Sequence, residues 1–359
     1  MNDLTEIVSN RQNPGIDPQL HIWGWEIPVY LFLGGLVAGL LVLGGYWITR
    51  GALASRSQSA PRAETRRAWP YAPMLGIVLL SVGMLALFLD LGHKLHAWRM
   101  YLTFQLGSPM SWGAWILVLV YPALLAAAVL HPPERVPFGE SLLRRAREWS
   151  DELNTRPRLV MAVGVANITG GLALGLYTGI LLGSLGARPL WNSALLGPLF
   201  LISGLSTAAA LMHILSVVAE RRAARGKTID SLRASRTGFA DALLAGLFRL
   251  FDPRAGGDAM LRADTSFVTL ELVLLALWLL GLVTTTAVHA EAATLVLSGD
   301  YAPAFWALVV VTGLIAPLIL QAAELSGRIK HTLAPAVMVL VGGFALRWIL
   351  VSAGQASHW

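Results

Sequence analysis

The sequence predicts an all-α integral membrane protein of eight transmembrane helices, expected as two four-helix bundles with an amphipathic surface helix in the fifth connection. Three observations lead there. Hydrophobic residues make up 55% of the 359 residues and charged ones 13%, with a mean hydropathy of +0.62, too apolar for a soluble domain. The apolar residues divide into eight runs, each long enough to cross a hydrocarbon layer of about 30 Å. Lysine and arginine gather in alternate connections between those runs, the asymmetry that orients a multi-pass chain.

In chain order, the first 25 residues are polar, with Arg11 their one basic residue. They lack the apolar stretch and cleavage site of a secretory signal peptide, so the first helix is expected to stay in the mature protein. The helices are read as Pro28 to Thr49, Tyr71 to Gly92, Trp112 to His131, Leu159 to Gly183, Ala194 to Ala219, Phe267 to His289, Pro303 to Leu325 and Leu333 to Ser352. Helix one contains Gly35 and Gly39; helix four has Gly171, Gly175, Gly179 and Gly183, a row that lets another backbone approach closely. Between helices five and six, Ile229 to Phe251 places Leu232, Phe239, Leu243, Leu247 and Leu250 opposite Arg233, Arg236 and Asp241. That pattern predicts an amphipathic helix lying on the membrane surface. The chain is read as a single membrane domain over residues 1–359. Within it, 27–219 holds helices one to five and the candidate site, 220–266 is a cytoplasmic connection, and 267–359 holds helices six to eight.

Orientation follows from the basic residues. The connections after helices one, three, five and seven hold 5, 6, 9 and 2 of them, or 22, against four (Arg11, Lys94, Arg99 and Arg188) on the other side, with Arg347 inside the last helix. The positive-inside rule then puts both termini outside the cytoplasm. The net charge of +6 is accounted for by topology and anionic-lipid contact, not by nucleic-acid binding. The chain has no cysteine, which excludes disulfides, thiolate zinc sites, thioether haem and Cys-ligated iron–sulfur clusters in this chain.

Ionisable groups inside a bilayer are costly and point to function. Glu26 and Tyr30 belong to the outer end of helix one, helix two delivers Asp90, His93 and His96 to the same face, and Tyr177 lies roughly 15 Å of helical rise before Arg188. A shared outer-half cavity there suits a quinol, whose two oxygens need hydrogen-bond partners such as tyrosine or histidine and whose protons need a carboxylate. Taken singly, Tyr30 also reads as an interfacial anchor, Asp90 as a helix-end cap and Glu26 as a headgroup-level charge. Haem ligation needs histidine pairs on facing helices at one depth. His213 near the cytoplasmic end of helix five, His289 at the outer end of helix six, and His93 with His96 on one helix end do not form such pairs. Two histidines three residues apart are also weak evidence for zinc. Arg347, Glu324, Gln321, His213 and Glu271 are spread through helices five to eight and read either as buried pairs that fix packing or as part of a proton path.

Four segments resemble the NrfD family, the membrane subunits typified by polysulfide reductase: Ile22 to Gly39 (IWGWEIPVYLFLGGLVAG), Asp90 to Leu117 (DLGHKLHAWRMYLTFQLGSPMSWGAWIL), Leu176 to Phe200 (LYTGILLGSLGARPLWNSALLGPLF) and Gly342 to Gln355 (GGFALRWILVSAGQ). The resemblance spans all eight helices, and its most specific strings are SPMSWGAW and RPLWN. It implies a haem-free subunit that reacts with menaquinone or ubiquinone and is no autonomous enzyme. The implied partners are a four-cluster, ferredoxin-like iron–sulfur subunit on the outer face and, through it, a molybdenum or tungsten bis-pterin catalytic subunit that oxidises formate or reduces sulfur compounds. It further implies residence in the bacterial inner membrane. Tyr177 matches the family tyrosine of the fourth helix that meets a quinone oxygen. Tyr30 and Ile27 stand where polysulfide reductase has a histidine and an asparagine, and Glu26 is expected to supply a polar group from the adjacent turn. Asp90, Gly92 and His93 resemble the acidic end of the family's second helix, which implies proton acceptance. The expected site is therefore Tyr177 and Tyr30 at the quinone, with Asp90, His93 and Glu26 handling protons. The competing reading is a secondary transporter or proton channel with no redox partner.

Overall fold

In a bilayer, backbone amides must be satisfied within the chain, so a spanning segment is a helix. The computed structural model describes residues 23–56, 72–132, 140–224, 257–329 and 332–357, and the described residues are helical apart from their connections. We number the helices α1 (Glu26–Arg56), α2 (Ala72–Asp90), α3 (Arg99–Leu102), α4 (Pro109–Leu130), α5 (Glu140–Asn154), α6 (Pro157–Gly183), α7 (Leu196–Ala224), α8 (Gly257–Thr285), α9 (Ala287–Leu297), α10 (Ala302–Leu325) and α11 (Ala334–Ala356). Among the described residues, eight of these, α1, α2, α4, α6, α7, α8, α10 and α11, are long and apolar enough to cross a membrane.

They pack as two four-helix bundles. Helices α1, α2, α4 and α6 form one ring; α7, α8, α10 and α11 form the other; α1 and α6 lie against α7, and α1 also touches α11. Val37, Ala38, Leu41, Leu80, Leu117, Val120, Leu124 and Leu174 fill the first bundle. Trp278, Phe305, Val309, Leu314, Leu346 and Leu350 lie in the core of the second. The start of α1 and the end of α11 share one face of the membrane domain, called here the N-terminal face.

Lipid tails are as apolar as leucine, so helices associate here through close van der Waals packing. Glycine makes it possible at the seam between the bundles. A Cβ on Gly39 would strike the Gly204 carbonyl oxygen and Ala208, and one on Gly204 would strike the Gly35 carbonyl oxygen, so the backbones of α1 and α7 touch. The glycine row of α6 turns as it climbs, because a four-residue step advances about 40° around a helix. Gly171 faces α1, where an added Cβ would lie 2.6 Å from the Ala38 carbonyl oxygen, whereas Gly179 abuts the backbone of Leu196 at the start of α7. One row thus serves two neighbours. In the second bundle, Gly313 of α10 and Gly342 of α11 meet in the same way.

Several elements differ from the sequence reading. Helix six begins at Gly257 rather than Phe267 and helix five continues to Ala224, so the fifth connection is shorter than 220–266. The amphipathic helix expected over Ile229 to Phe251 lies outside the described residues. Helix six stops at Thr285: Thr286 is extended, with φ −137° and ψ 164°, and caps the separate helix α9, its hydroxyl accepting from the His289 amide. His289 is therefore not at the end of helix six. The third connection holds a helix of its own, α5, docked where Ser150 donates to the Leu130 carbonyl at 2.8 Å. A Phe305–Ile315 stretch of α10 is wound as a π-helix.

The glycine seam makes a direct prediction. Gly204→Val forces α1 and α7 apart and should cost about 1 to 3 kcal/mol, as overpacking does, lowering the melting temperature of the detergent-purified protein. Gly44, with nothing within 4 Å of an added Cβ, is the control: Gly44→Ala should leave that temperature unchanged or raise it.

Candidate functional site

Helices α1, α2, α4 and α6, with the short α3, set out the candidate residues at the N-terminal face. Tyr30 is one turn into α1 and buried at 4% exposure; Tyr177, near the same end of α6, is buried at 5%. Their phenols are close enough to interact electrostatically, and both also feel Tyr101 of α3. Three tyrosines from three helices thus form one cluster. Tyr30 is a core residue and not an interfacial anchor. Burial, then the neighbouring Tyr121, pushes the half-buried Tyr101 phenol up from its ordinary value, so it stays a hydrogen-bond donor across the physiological range.

Gly113 is what admits Tyr177. A Cβ on Gly113 would overlap the hydroxyl end of Tyr177, at its Cζ and its phenol oxygen, so the phenol packs directly against the α4 backbone. The residues around Gly113 shape the loop that carries α3 over the cluster. Ser111 accepts from the Gln105 amide at 3.0 Å and donates to the Thr103 carbonyl at 3.2 Å; the Trp112 indole donates to the Leu106 carbonyl at 2.8 Å. Phe104 packs edge-on against Trp115. The SPMSWGAW string is thereby explained as the fold of one loop and one glycine contact.

Glu26 and Asp90 are half-buried at the rim, near enough to each other to interact electrostatically. Two carboxyl groups within electrostatic reach of each other, one of them a turn from the buried Tyr30, can accept and release protons. His93 is exposed, stands at the start of the 3-10 turn Lys94–His96, and sets its ring edge-on to His96 at 6.3 Å. The structure therefore brings Tyr30 and Tyr177 together and sets Glu26 within electrostatic reach of Asp90, while His93 is exposed three residues beyond Asp90. Sequence reasoning misses Tyr101. It sits outside the eight apolar runs, and the nearest signal is its position within the long polar and aromatic stretch between helices two and three. Among the described residues no three His, Asp or Glu side chains converge as a metal site.

The RPLWN string is structural too. The Trp191 indole donates to the Leu350 carbonyl at 2.7 Å, its ring stacks on Trp23 with centroids 5.3 Å apart, and it occupies the space a Cβ on Gly354 would need. Arg188 donates to the Ser357 carbonyl at 2.6 Å. Gln355 holds the Trp23 backbone from both sides, accepting its amide at 2.9 Å and donating to its carbonyl at 3.1 Å. These bonds tie the segment before Glu26 to the end of α11. Gln355→Ala removes both Trp23 bonds and should destabilise by about 1 to 3 kcal/mol, read as a lower melting temperature with faster proteolysis ahead of Glu26; an unchanged melting curve would show that the seam contributes nothing.

Comparison with known proteins places these features in context. The family described as "Polysulphide reductase, NrfD" matches residues 13–357. A polysulfide reductase chain from Wolinella succinogenes is 27% identical over 347 residues, covering 93% of the present chain and 94% of that protein. Protein NrfD of Escherichia coli is 26% identical over 343 residues, covering 93% of the present chain and 95% of its own length. A selenate reductase subunit from Mesobacillus selenatarsenatis is 26% identical over 357 residues, covering 92% of the present chain and 73% of its own length.

Proposed function

Because the chain belongs to the NrfD polysulphide reductase family, we propose that it is the quinone-reactive membrane subunit of a respiratory oxidoreductase complex. Electrons pass between a menaquinone or ubiquinone in the first bundle and an iron–sulfur subunit docked on the N-terminal face, which the basic-residue asymmetry makes the periplasmic one. That partner in turn serves a molybdenum or tungsten bis-pterin catalytic subunit acting on formate or a sulfur compound. Two relatives bear the names of reductase components, which supports a role inside a complex.

The observation that carries the reading is the convergence of Tyr30, Tyr101 and Tyr177 beside the Glu26–Asp90 pair. Neutral phenols donate to quinone oxygens and accept from quinol hydroxyls. A quinone gains two electrons and two protons on reduction and loses them on oxidation. The carboxyl pair is the proton station at the rim, with His93 as its link to solvent. Tyr177, its phenol end packed against Gly113, is assigned the direct contact to one quinone oxygen, and Tyr30 the contact to the other. A transporter without a redox partner has no use for phenols clustered behind a carboxyl pair near one face of a bundle.

Removing the phenol oxygen tests the contact. In the assembled complex, Tyr177→Phe should raise the KM for quinone about tenfold, the worth of a hydrogen bond of about 1.5 kcal/mol. Dye-linked activity of the catalytic subunit should be preserved. Gly113→Ala, which displaces the same phenol without removing its oxygen, should reproduce the defect. Unchanged quinone kinetics in both variants would remove Tyr177 from the site.

The carboxyl pair has its own test in the pH profile of quinone-linked turnover. Asp90→Asn should lower the rate by about 100-fold and flatten the limb of the profile that Asp90 governs. A wild-type rate and profile would end its assignment as a proton acceptor.

A further inference from the structure

Helix α5 belongs to neither bundle and has no part in the tyrosine cluster. It is tied to the first bundle near its C-terminal end. Ser150 and Asn154 donate to the Leu130 carbonyl at 2.8 and 3.0 Å, and Asn154 also donates back to the Ser150 carbonyl at 2.8 Å. Leu130 is the last residue of α4, where carbonyls have no partner within the helix, and α6 begins three residues after Asn154, at Pro157. The end of α5 is therefore fixed where two spans meet the membrane boundary opposite the N-terminal face. From that point the helix extends over 15 residues, roughly 22 Å.

The sequence of α5 is amphipathic. Leu142, Leu143, Ala146, Trp149 and Leu153 recur at helical spacing within an arc of about 120°, and Arg144, Glu148, Asp151 and Glu152 fall on the other side. Charges on that polar side meet one another: Arg144 lies 3.9 Å from Glu148, and Glu152 lies 3.1 Å from Arg156 at the start of α6. Arg145 and Arg147, both exposed, stand at the two borders of the apolar arc. The first bundle covers one flank of the arc, at the buried Ser150 and the part-buried Asn154, and leaves the other open at Trp149, which is 62% exposed. An indole facing water there would forgo the burial of a large apolar area. At the level where spans end, an open tryptophan on an apolar arc bordered by arginines has the chemistry of a surface helix, its apolar side entering the acyl boundary and its cations meeting headgroup phosphates.

We propose that α5 lies flat in the phospholipid leaflet at the face opposite the N-terminus, with the Trp149 side of the helix in the upper acyl chains and Arg145 and Arg147 on lipid phosphates. Glu148 and Asp151 keep to the water side, away from those phosphates. The leaflet then braces the first bundle. Ser150 and Asn154 pass the anchorage to the end of α4, and the short connection after Asn154 passes it to the start of α6, the two helices that carry Gly113 and Tyr177. Such a brace needs no redox partner and no ligand in the bundle, so it stands apart from the quinone reading.

The chain has no cysteine, so variants of the full chain with a single cysteine take one spin label each. Leu142→Cys and Trp149→Cys put the label on the same side of α5 two turns apart, and Glu148→Cys puts it on the polar side. In nanodiscs of phosphatidylethanolamine and phosphatidylglycerol, collisions with oxygen, which concentrates in the bilayer, and with a water-soluble nickel chelate read the depth of each label. The labels at 142 and 149 should both sit about 5 to 10 Å below the phosphates, with the label at 148 in water. Ala146→Cys, a smaller change within the same arc, should report the same depth and serves if the loss of Trp149 disturbs the fold. Nickel reaching both 142 and 149 overturns the proposal, and so does 149 in lipid with 142 in water, the pattern of an upright helix. Shielding of 149 from oxygen and nickel alike also overturns it, because a second copy of the chain or another protein is then the cover.

Discussion

The backbone contact between α1 and α7 organises this molecule. Gly35, Gly39 and Gly204 let two polypeptide backbones touch in the middle of the membrane domain, and with no hydrophobic force between helices in lipid, such contacts are what hold them. Everything else is arranged about that seam. Helix α6 packs on α1 through the lower part of its glycine row and on α7 through the upper part, so the first bundle cannot be built without fixing the second. The same gap beside Gly35 receives a guanidinium nitrogen of Arg347. A side chain on Gly39 or Gly204 would separate the bundles, and one on Gly35 would press on the arginine.

This coupling explains how one chain holds two kinds of polar site at separate depths. Near the N-terminal face, the neutral phenols Tyr30 and Tyr177 are buried and the acids Glu26 and Asp90 stay at the rim, half in contact with solvent. Neutral donors carry a far smaller desolvation cost than charges, so the buried positions go to tyrosine and the carboxylates keep to the edge. In the second bundle the acids are buried outright, and each is surrounded by fixed donors: Ser206 and Gln321 at Asp264, Arg347 and Ser203 at Glu271, Thr332 at Glu324. The two arrangements meet at the seam, where Arg347 faces Gly35 a little more than one turn from Tyr30.

Much of the architecture is legible in the sequence because a bilayer is an undemanding reader: length and apolarity alone mark its spans. The eight helices and the glycine rows follow from that. What is not legible arises where tertiary contacts override composition. Asp264 falls in a connection when read from sequence, because a carboxylate in the first turn of an apolar run reads as the solvent side; its two neutral donors come from α7 and α10, which no local pattern reveals. Tyr101 lies on a four-residue helix between spans, and its nearness to Tyr30 and Tyr177 accompanies the docking of the 103–108 loop by Ser111 and Trp112. Helix six reads on to His289 because threonine and alanine carry no stop signal in lipid, yet Thr286 turns extended and caps a new helix. The SPMSWGAW and RPLWN strings, prominent as sequence, resolve into a ring-admitting glycine with a loop staple and an indole clasp. They locate the site without contributing its chemistry.

The clasp also bears on which reading of the intramembrane charges is physically consistent. Alternating access in a transporter needs one half of the molecule to rock against the other. Here the two halves are joined by backbone contact at mid-membrane, and at the N-terminal face by Gln355 of α11 bonded to Trp23 and by Trp191 stacked on the same Trp23 ahead of α1. Rocking would break these contacts at once, exposing backbone groups in a medium that offers them no partner. Proton transfer along fixed side chains, and electron transfer to a docked partner, require no such motion. A rigid seam with polar groups on both sides of it is therefore better matched to moving protons and electrons than to moving a solute.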